Sequence, residues 1–438
     1  MQAIQVKHIG PLVDTGRVPI TQVVLLIGEQ STGKSIFMKI LCFCSWIEKQ
    51  LMIDGKSKSD KHSALYNYTH YYRFWNDLKK FHHFNDDFFR EDSYIKYEGQ
   101  AVTIEMRGRR SNARITLAPN FAECKHNLKL CFLPSERNLL SSIQNIESLY
   151  RSKEVDVLFN YILEWKEACA GFDAKHPLDL VFVDRMSYHY DVQKGDVLTL
   201  NDGQQKIKPY YASSGVQSAL PIQLLATYLA EEVGKSARIS PKEYLTNVLA
   251  GGKTVDKNQM VALMQDLMNR DGTMADLLEA LSNSEEIFKQ LQQRLTYKSF
   301  HLFIEELEQN LFPNAQFELI KLLVGLIAKK QEPGADYGSS IFLTTHSPYV
   351  LTALNVLMLA AEACERDAEK VIALGMQPYV LRPEAYSAYC IKDGRFEDMM
   401  DKEYHFIQGD YLDAISDEVD EYTYQFNQII YGHTEGAA

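Results

Sequence analysis

The sequence predicts an α/β fold with a central, mostly parallel β-sheet, an antiparallel β portion and helical insertions. Three runs with strand character predict central strands of the sheet, at residues 23–27, 300–304 and 340–345. All three are rich in apolar residues, which is typical of parallel strands covered by helices on both faces. Each run leads into glycine or polar residues, at the edge where open α/β sheets place their binding sites.

The first strand leads into residues 28–35, Gly-Glu-Gln-Ser-Thr-Gly-Lys-Ser, followed by a helix-forming segment. This is a complete P-loop, because its glycines let N–H groups converge on phosphate oxygens at a helix N-terminus. We expect Lys34 to neutralise the β- and γ-phosphates and the Ser35 hydroxyl to ligate Mg²⁺. The predicted ATP-binding residues are Gly28, Glu29, Gln30, Ser31, Thr32, Gly33, Lys34, Ser35 and Ile36.

The second strand ends in two adjacent carboxylates, Glu305 and Glu306. We expect Glu305 to hold Mg²⁺ through water and Glu306 to polarise the attacking water as general base. The third strand ends at His346, which can contact a γ-phosphate. A histidine by itself is more often structural, but its order after a P-loop and an acidic strand end favours the switch role. The predicted catalytic residues are Glu306, His346 and Lys34.

These residues resemble the ABC-type ATPase fold, and more narrowly the RecF/SMC-like branch that includes the ATPase half of OLD-family proteins. That branch typically reads Glu-Glu-Pro-Glu, with Leu-His-Pro soon after. Residues 305–313, Glu-Glu-Leu-Glu-Gln-Asn-Leu-Phe-Pro, keep this frame, with Leu307 for the proline and Phe312 for the histidine. Residues 344–348, Thr-Thr-His-Ser-Pro, fit the switch strand. The resemblance implies Mg²⁺ and ATP as cofactors and ATP hydrolysis as the activity.

The resemblance also implies a signature motif that contacts the ATP bound by the opposite subunit. Residues 213–218, Ser-Ser-Gly-Val-Gln-Ser, precede residues 219–225, which predict a helix with Pro221 in its first turn. A serine hydroxyl, a glycine N–H and a helix N-terminus together form an anion-binding corner. The alternative is an ordinary Ser-Ser-Gly turn, and Val216 replaces the family's second glycine. The predicted signature residues are Ser213, Ser214, Gly215 and Gln217, and they imply a homodimer.

Residues 130–133 predict another core strand, which leads into Pro-Ser-Glu-Arg-Asn at 134–138. This stretch resembles the Pro-Ala-Glu-Arg sequence that follows a core strand in many of these bacterial ATPases. Glu136 and Arg137 are either a sensor of the nucleotide state or a solvated surface pair. The sequence leaves both alternatives open.

Composition indicates a soluble, folded enzyme: 438 residues, of which 46% are hydrophobic and 24% charged, form one large domain or two. The seven cysteines include no Cys-x-x-Cys pair, which indicates a reducing cytoplasm. The N-terminus lacks the long apolar core of a signal peptide, and no apolar run approaches the ~20 residues of a membrane span. We therefore expect a cytoplasmic protein that is not embedded in a membrane.

The net charge of −12 repels the phosphate backbone of nucleic acid, so any nucleic-acid contact has to be local. Two segments are candidates: an arginine cluster at a predicted hairpin tip, and an aromatic stretch at 66–89 that also carries basic residues. The alternatives are solvated arginines and a helical insertion packed on the core, and we favour these. The arginines are Arg107, Arg109, Arg110 and Arg114.

The predicted segments have the following bounds: 1–55 with the P-loop, 56–100 as an aromatic-rich helical insertion, 101–232 with the signature, 233–295 as a helical insertion, 296–370 with the acidic strand and switch histidine, and 371–438 at the C-terminus. Residues 180–183 fit a strand or a helix. The last segment is too short for the nuclease domain that OLD-family proteins append, so we expect no built-in nuclease.

Taken together, these features predict an ATPase that works as a nucleotide-gated dimeric switch. By resemblance, it serves genome maintenance or anti-phage defence beside a separate effector protein. Three alternatives stay open: a DNA-stimulated repair ATPase, an ATP-binding scaffold with little turnover, and a transporter subunit. The long segment between the signature and the acidic strand disfavours the transporter.

Overall fold

A computed structural model of the protein describes residues 2–54, 63–121, 127–143, 156–200, 203–235, 296–329, 338–401, 403–409 and 424–425. Most of the predicted helical insertion at 233–295 lies outside the described residues. The helices are α1 (Lys34–Asp54), α2 (Ala64–Thr69), α3 (Arg73–His82), α4 (Leu139–Ser142), α5 (Val157–Cys169), α6 (Ser214–Glu232), α7 (Pro313–Ala328), α8 (Pro348–Arg366) and α9 (Ala368–Ala373).

The strands are β1 (Ala3–Ile9), β2 (Leu12–Asp14), β3 (Val18–Pro19), β4 (Val23–Ile27), β5 (Phe89–Glu98), β6 (Val102–Arg107), β7 (Arg114–Leu117), β8 (Asn127–Leu133), β9 (Leu178–Asp179), β10 (Met186–Asp191), β11 (Gly195–Leu200), β12 (Gln205–Ile207), β13 (Tyr297–Ile304), β14 (Ser340–Thr345), β15 (Tyr386–Lys392), β16 (Arg395–Asp398), β17 (Met400–Asp401) and β18 (Phe406–Ile407). The three predicted central strands correspond to β4, β13 and β14.

One large sheet organises the described part of the chain, with the order β7-β6-β5-β1-β2-β16-β15-β4-β14-β13-β8 and β3 paired to β1. Strands β15, β4, β14, β13 and β8 run parallel to one another. Strands β1, β5, β6 and β7 form the antiparallel portion. The predicted α/β fold, with a parallel centre and an antiparallel portion, is confirmed.

Helices and strands cover both faces of the parallel strands. Val23, Leu25 and Ile27 of β4 belong to one apolar cluster, which also contains side chains of α5, α6, α7 and α8. Val24 and Leu26 belong to a second cluster, formed with α1, α2, α3 and the antiparallel strands. Because alternate residues of β4 enter opposite clusters, the strand is apolar throughout, as a parallel strand buried on both faces requires.

The aromatic stretch that begins at residue 66 forms α2, α3 and the start of β5. Tyr68, Phe74 and Trp75 are buried in the second apolar cluster, and Phe74 packs edge-on against Phe43 of α1. Helices α2 and α3 therefore pack on the core, as the interpretation as a helical insertion expects. Residues 89–98 of the predicted helical segment 56–100 instead form strand β5, which pairs with β1 and β6, because alternate residues from Ser93 onward are buried with the two-residue period of a strand.

Two local expectations are wrong, and one small sheet was not predicted. Residues 180–183 form neither a strand nor a helix, because they lie in the turns between β9 and β10. The helix predicted at 219–225 begins earlier, at Ser214, so Pro221 lies inside α6 and not in its first turn. The antiparallel sheet β12-β11-β10-β9 was not predicted at all, since its strands are short and only partly apolar.

The C-terminal segment contributes to the main sheet. Strand β15 pairs in parallel with the P-loop strand β4, with Tyr386 opposite Val23 and Cys390 opposite Ile27. A turn at Asp393 and Gly394 joins β15 to β16, and these residues have positive φ angles of 49° and 71°. Residues far apart in the chain thus complete the strand layer around the P-loop. The boundaries between the predicted segments stay predictions.

Candidate active site

The predicted functional residues follow strands that end at the same edge of the sheet. Ile27 is opposite Thr345, and Leu343 is opposite Ile304. The P-loop, the acidic pair and His346 come directly after these strand ends. Parallel pairing therefore brings three sequence motifs together, although the P-loop lies 270 residues before the acidic pair and His346 lies 40 residues after it.

The P-loop curls back over its own helix. Gly28 and Gly33 have φ angles of 151° and 106°, which glycine adopts readily, and Ser31 has a φ angle of 63°. A side chain at Gly33 would lie 2.7 Å from the Leu12 side chain, so glycine is also needed for space. Ile36 packs against the core, which leaves its main chain as the part available at the helix start.

Lys34 is 7% exposed, and its ammonium donates to the carbonyl oxygens of Gly28 at 2.7 Å and Glu29 at 2.6 Å. Burial lowers the pKa of Lys34, whereas the charges of Glu306 and Glu308 raise it. The lysine therefore lies within the field of the acidic turn, close to where a P-loop binds the outer phosphates of a nucleotide.

The acidic turn after β13 is held by hydrogen bonds from three successive N–H groups. Glu305 donates to the Leu133 carbonyl at 3.0 Å, Glu306 to the Thr344 hydroxyl at 2.9 Å, and Leu307 to the Thr344 carbonyl at 3.3 Å. Glu306 has a φ angle of 47°, a conformation that side chains disfavour. Strained residues of this kind persist where neighbours fix them, and they cluster at functional sites.

The Glu305 carboxylate is 4% exposed and reaches the P-loop. It hydrogen-bonds to the Ser35 hydroxyl and accepts the Ser135 N–H at Oε2, at 3.1 Å. Among the described residues, Oε1 has no hydrogen-bond partner. Burial raises the pKa of Glu305, and the Lys39 charge and Ser35 lower it. A buried, unpartnered carboxylate oxygen beside a P-loop serine fits a divalent cation.

His346 is half-buried, and the Gly28 carbonyl is hydrogen-bonded to it. Burial and then the Lys34 charge lower the pKa of His346, which favours the neutral form of its imidazole. Its main-chain N–H donates to Oε1 of Glu308 at 2.6 Å, while the Thr345 hydroxyl donates to Oε2 at 2.8 Å. Glu308 therefore fixes the end of the switch strand against the acidic turn.

The predicted signature lies at the start of α6. Ser213 caps the helix by accepting the Val216 N–H, and Ser213 and Ser214 are exposed. Gln217 is used differently, because its amide donates to the carbonyls of Pro209 and Tyr210. The Gln217 oxygen also accepts the hydroxyl of a serine on α4. The serines are open to a second molecule, whereas Gln217 fastens the preceding turn.

Arg137 is fully buried, which excludes a solvated surface pair with the exposed Glu136. Its guanidinium donates to the carbonyl oxygens of Ser218 at 3.1 Å, Glu305 at 2.6 Å and Glu306 at 2.7 Å. Burial lowers the pKa of Arg137, and nearby acidic groups raise it. Arginine stays charged in proteins, so this is a buried cation.

The structure adds Glu308 and Thr344 to the site, since they hold His346 and Glu306. The Glu-Glu-x-Glu frame of residues 305–308 is a sequence signal for Glu308. Thr344 has no comparable signal, because a threonine in a strand is common.

None of the helices in the described part of the chain has the length and apolar character needed to cross a membrane.

No protein-family model matches the sequence, and neither does any curated protein. Among solved structures, the chain is similar to the SMC head domain from Thermotoga maritima, with 9% identity and a TM-score of 0.36 over 91% of this chain and 98% of that one. It is also similar to an Smc head bound to the C-winged helix domain of ScpA, with 8% identity and a TM-score of 0.35 over 90% and 96%.

A third similar structure is the recombination mediator protein RecF of the RecFOR pathway, with 13% identity and a TM-score of 0.29 over 91% of this chain and 98% of that one. These similar structures are SMC head domains and RecF, and similarity to OLD-family proteins stays a prediction. Because the scores are low, the case for a function rests on the residues of this chain.

Proposed function

We propose that the protein is an ABC/SMC-like ATPase that binds and hydrolyses Mg-ATP. The observation that carries this proposal is the convergence of the P-loop, the Glu305–Glu306 pair and His346 on the ends of β4, β13 and β14. A phosphate-binding loop, a cation ligand and a base are the groups that phosphoryl transfer to water requires.

Each group has a role that fits its surroundings. Lys34 leaves its P-loop carbonyls for the β- and γ-phosphates, which are stronger acceptors. Ser35 and Glu305 hold Mg²⁺, which neutralises phosphate charge when bound, and the orphaned Oε1 of Glu305 supports this assignment. Glu306 takes a proton from the attacking water, and the neutral His346 contacts the γ-phosphate.

The proposed ATPase is a homodimer that opens and closes with its nucleotide. Ser213 and Ser214 are exposed at the N-terminus of α6, where N–H groups favour an anion, and in this proposal the anion is the partner subunit's γ-phosphate. From the resemblance we further propose a cytoplasmic location and a role in genome maintenance or anti-phage defence beside a separate effector. The free cysteines of the described residues agree with a reducing compartment.

Phosphate release from Mg-ATP, measured together with sedimentation, tests the proposal. We expect turnover that requires Mg²⁺ and a shift from monomer to dimer when ATP is added. Binding without phosphate release identifies an ATP-binding scaffold. Absence of nucleotide binding contradicts the proposed function.

A DNA-stimulated ATPase is the second candidate. Exposed Arg109 and Arg110 line a surface pocket of about 570 Å³ together with Trp75, Lys79 and Asp86. The Lys79 ammonium lies 3.8 Å from the Trp75 ring centroid and pairs with Asp86. Trp75 is buried, so the exposed arginines are the groups that suit the phosphates of a single strand. Turnover with and without single-stranded DNA, compared with the Arg109→Glu/Arg110→Glu variant, decides between the candidates.

A further inference from the structure

Arg137 joins two elements with different predicted tasks. It lies in the short turn after β8, and its three acceptors are main-chain carbonyls: Ser218 on α6, and Glu305 and Glu306 in the acidic turn. Carbonyl acceptors fix the path of the backbone and not the rotamer of a side chain. The guanidinium therefore fixes the distance between α6 and the acidic turn, which carries the proposed base Glu306.

The arginine itself is held firmly. Its side chain has no exposed surface, and its carbonyl accepts the Tyr161 hydroxyl of α5 at 2.8 Å. A guanidinium is planar and rigid, so its N–H groups cannot follow acceptors that move independently. A shift of α6 has to move the acidic turn with it, or leave charged donors unpaired in a buried site.

A second contact joins the same two elements. The Asn310 amide donates to the Ser218 hydroxyl at 3.0 Å, and Asn310 has a φ angle of 60°. At Gly215 a side chain would lie 2.9 Å from the Asn310 carbonyl, so the start of α6 packs directly on the loop after the acidic turn. The link through Arg137 is therefore the centre of a continuous interface.

We propose that Arg137 is a positioning residue that couples α6 to Glu306 within one chain, so that docking of α6 on the partner subunit's nucleotide sets the base in its own site. This inference rests on the proposed function. Coupling is reciprocal, so nucleotide bound at the P-loop must also change the stability of α6 in the same chain. The two sites of the dimer then communicate through this guanidinium.

Hydrogen exchange in a monomer tests the coupling without turnover. The parent chain carries Ser214→Arg, which blocks closure, and the probe is Mg-AMPPNP. We expect the probe to slow exchange of amides 214–220 by at least about threefold in the parent. Adding Arg137→Lys should remove this effect while probe affinity stays within about twofold, because lysine cannot reach three carbonyls. Arg114→Lys, at an exposed position of β7, is the matched control.

Turnover gives the second readout, in chains without Ser214→Arg. Per chain that binds AMPPNP, we expect Arg137→Lys to lower kcat at least about tenfold with KM unchanged, and counting only these chains removes the contribution of unfolded protein. If Arg137→Lys does not fold, Tyr161→Phe removes only the bond to the Arg137 carbonyl and should weaken the same exchange effect.

Two results would overturn the coupling and leave the ATPase proposal standing. In the first, AMPPNP still slows exchange of residues 214–220 in Arg137→Lys. In the second, the parent binds AMPPNP but exchange of these residues does not slow. A parent that does not bind AMPPNP contradicts the proposed function, and the coupling falls with it. The two failures are therefore distinct.

Discussion

The main-chain N–H of His346 donates a 2.6 Å hydrogen bond to the carboxylate of Glu308, which joins the switch strand to the acidic turn. The second carboxylate oxygen accepts the Thr345 hydroxyl. Both bonds end on one ionised group, so a single side chain sets where β14 ends relative to β13.

Glu308→Ala should lower both the free energy of unfolding and turnover. Hydrogen bonds to a charged acceptor contribute about 1.5–3 kcal/mol each, so we expect a loss of about 1–3 kcal/mol after relaxation. Glu308→Gln should lose less, because its amide oxygen still accepts one bond. Urea unfolding and phosphate release are the measurements. Glu365→Ala, at an exposed position of α8, is the control, and equal effects of the two alanine variants would contradict the bridging role.

Lys34→Ala should abolish nucleotide binding and leave the fold intact. The lysine is 7% exposed, and its ammonium donates to two P-loop carbonyls. We therefore also expect a loss of about 1–3 kcal/mol in the free energy of unfolding. Titration calorimetry with ATP is the test, and unchanged affinity would show that the P-loop assignment is wrong.

Glu306→Gln should retain ATP, lose turnover by orders of magnitude and trap a dimer. The amide keeps the size of the side chain but cannot accept a proton, and every phosphate contact is spared. The Glu306 N–H donates to the Thr344 hydroxyl, and the Glu306 carbonyl accepts from Arg137, so neither bond depends on the carboxylate and the turn should stay in place. Sedimentation with Mg-ATP checks the dimer. Normal hydrolysis by the variant would exclude Glu306 as the base.

His346 should make stability depend on pH in a defined direction. Burial, then the Lys34 charge, place the pKa of His346 below its ordinary value of 6.5. Between the lowered pKa of the folded chain and the ordinary value of 6.5, the unfolded chain therefore binds more protons than the folded chain. The contribution of His346 to the free energy of unfolding is complete above about pH 6.5 and declines below it. The free energy of unfolding of the wild type minus that of His346→Gln should decrease as the pH is lowered. A difference that grows instead would contradict the assigned environment.

Ser214→Arg should block closure of the dimer while each P-loop still binds ATP. A long side chain at this exposed position meets the opposite γ-phosphate, if α6 completes the partner's site. Mixed with Lys34→Ala, the variant forms a heterodimer with one complete site. Partial activity should then appear although each protein alone is inactive. Full activity of Ser214→Arg by itself would remove residues 213–218 from the site.

The sequence by itself determined the parallel strands β4, β13 and β14 and the residues that follow them. Local chemistry specifies these features, since a strand buried on both faces is apolar throughout and a P-loop needs glycine, lysine and serine at fixed spacing. The hairpin of β6 and β7 was also predicted correctly, because it pairs neighbouring segments of the chain.

Only the tertiary structure decided what Arg137 and Glu308 do. An arginine beside a glutamate in the sequence fits a surface pair, and only the approach of α6 and the acidic turn supplies three carbonyls that make burial of its charge favourable. The place of β15 beside β4, and the start of α6 at Ser214, also depend on contacts between distant segments. Such contacts leave no periodic pattern in the chain, because their energy belongs to pairs of residues and not to either residue alone.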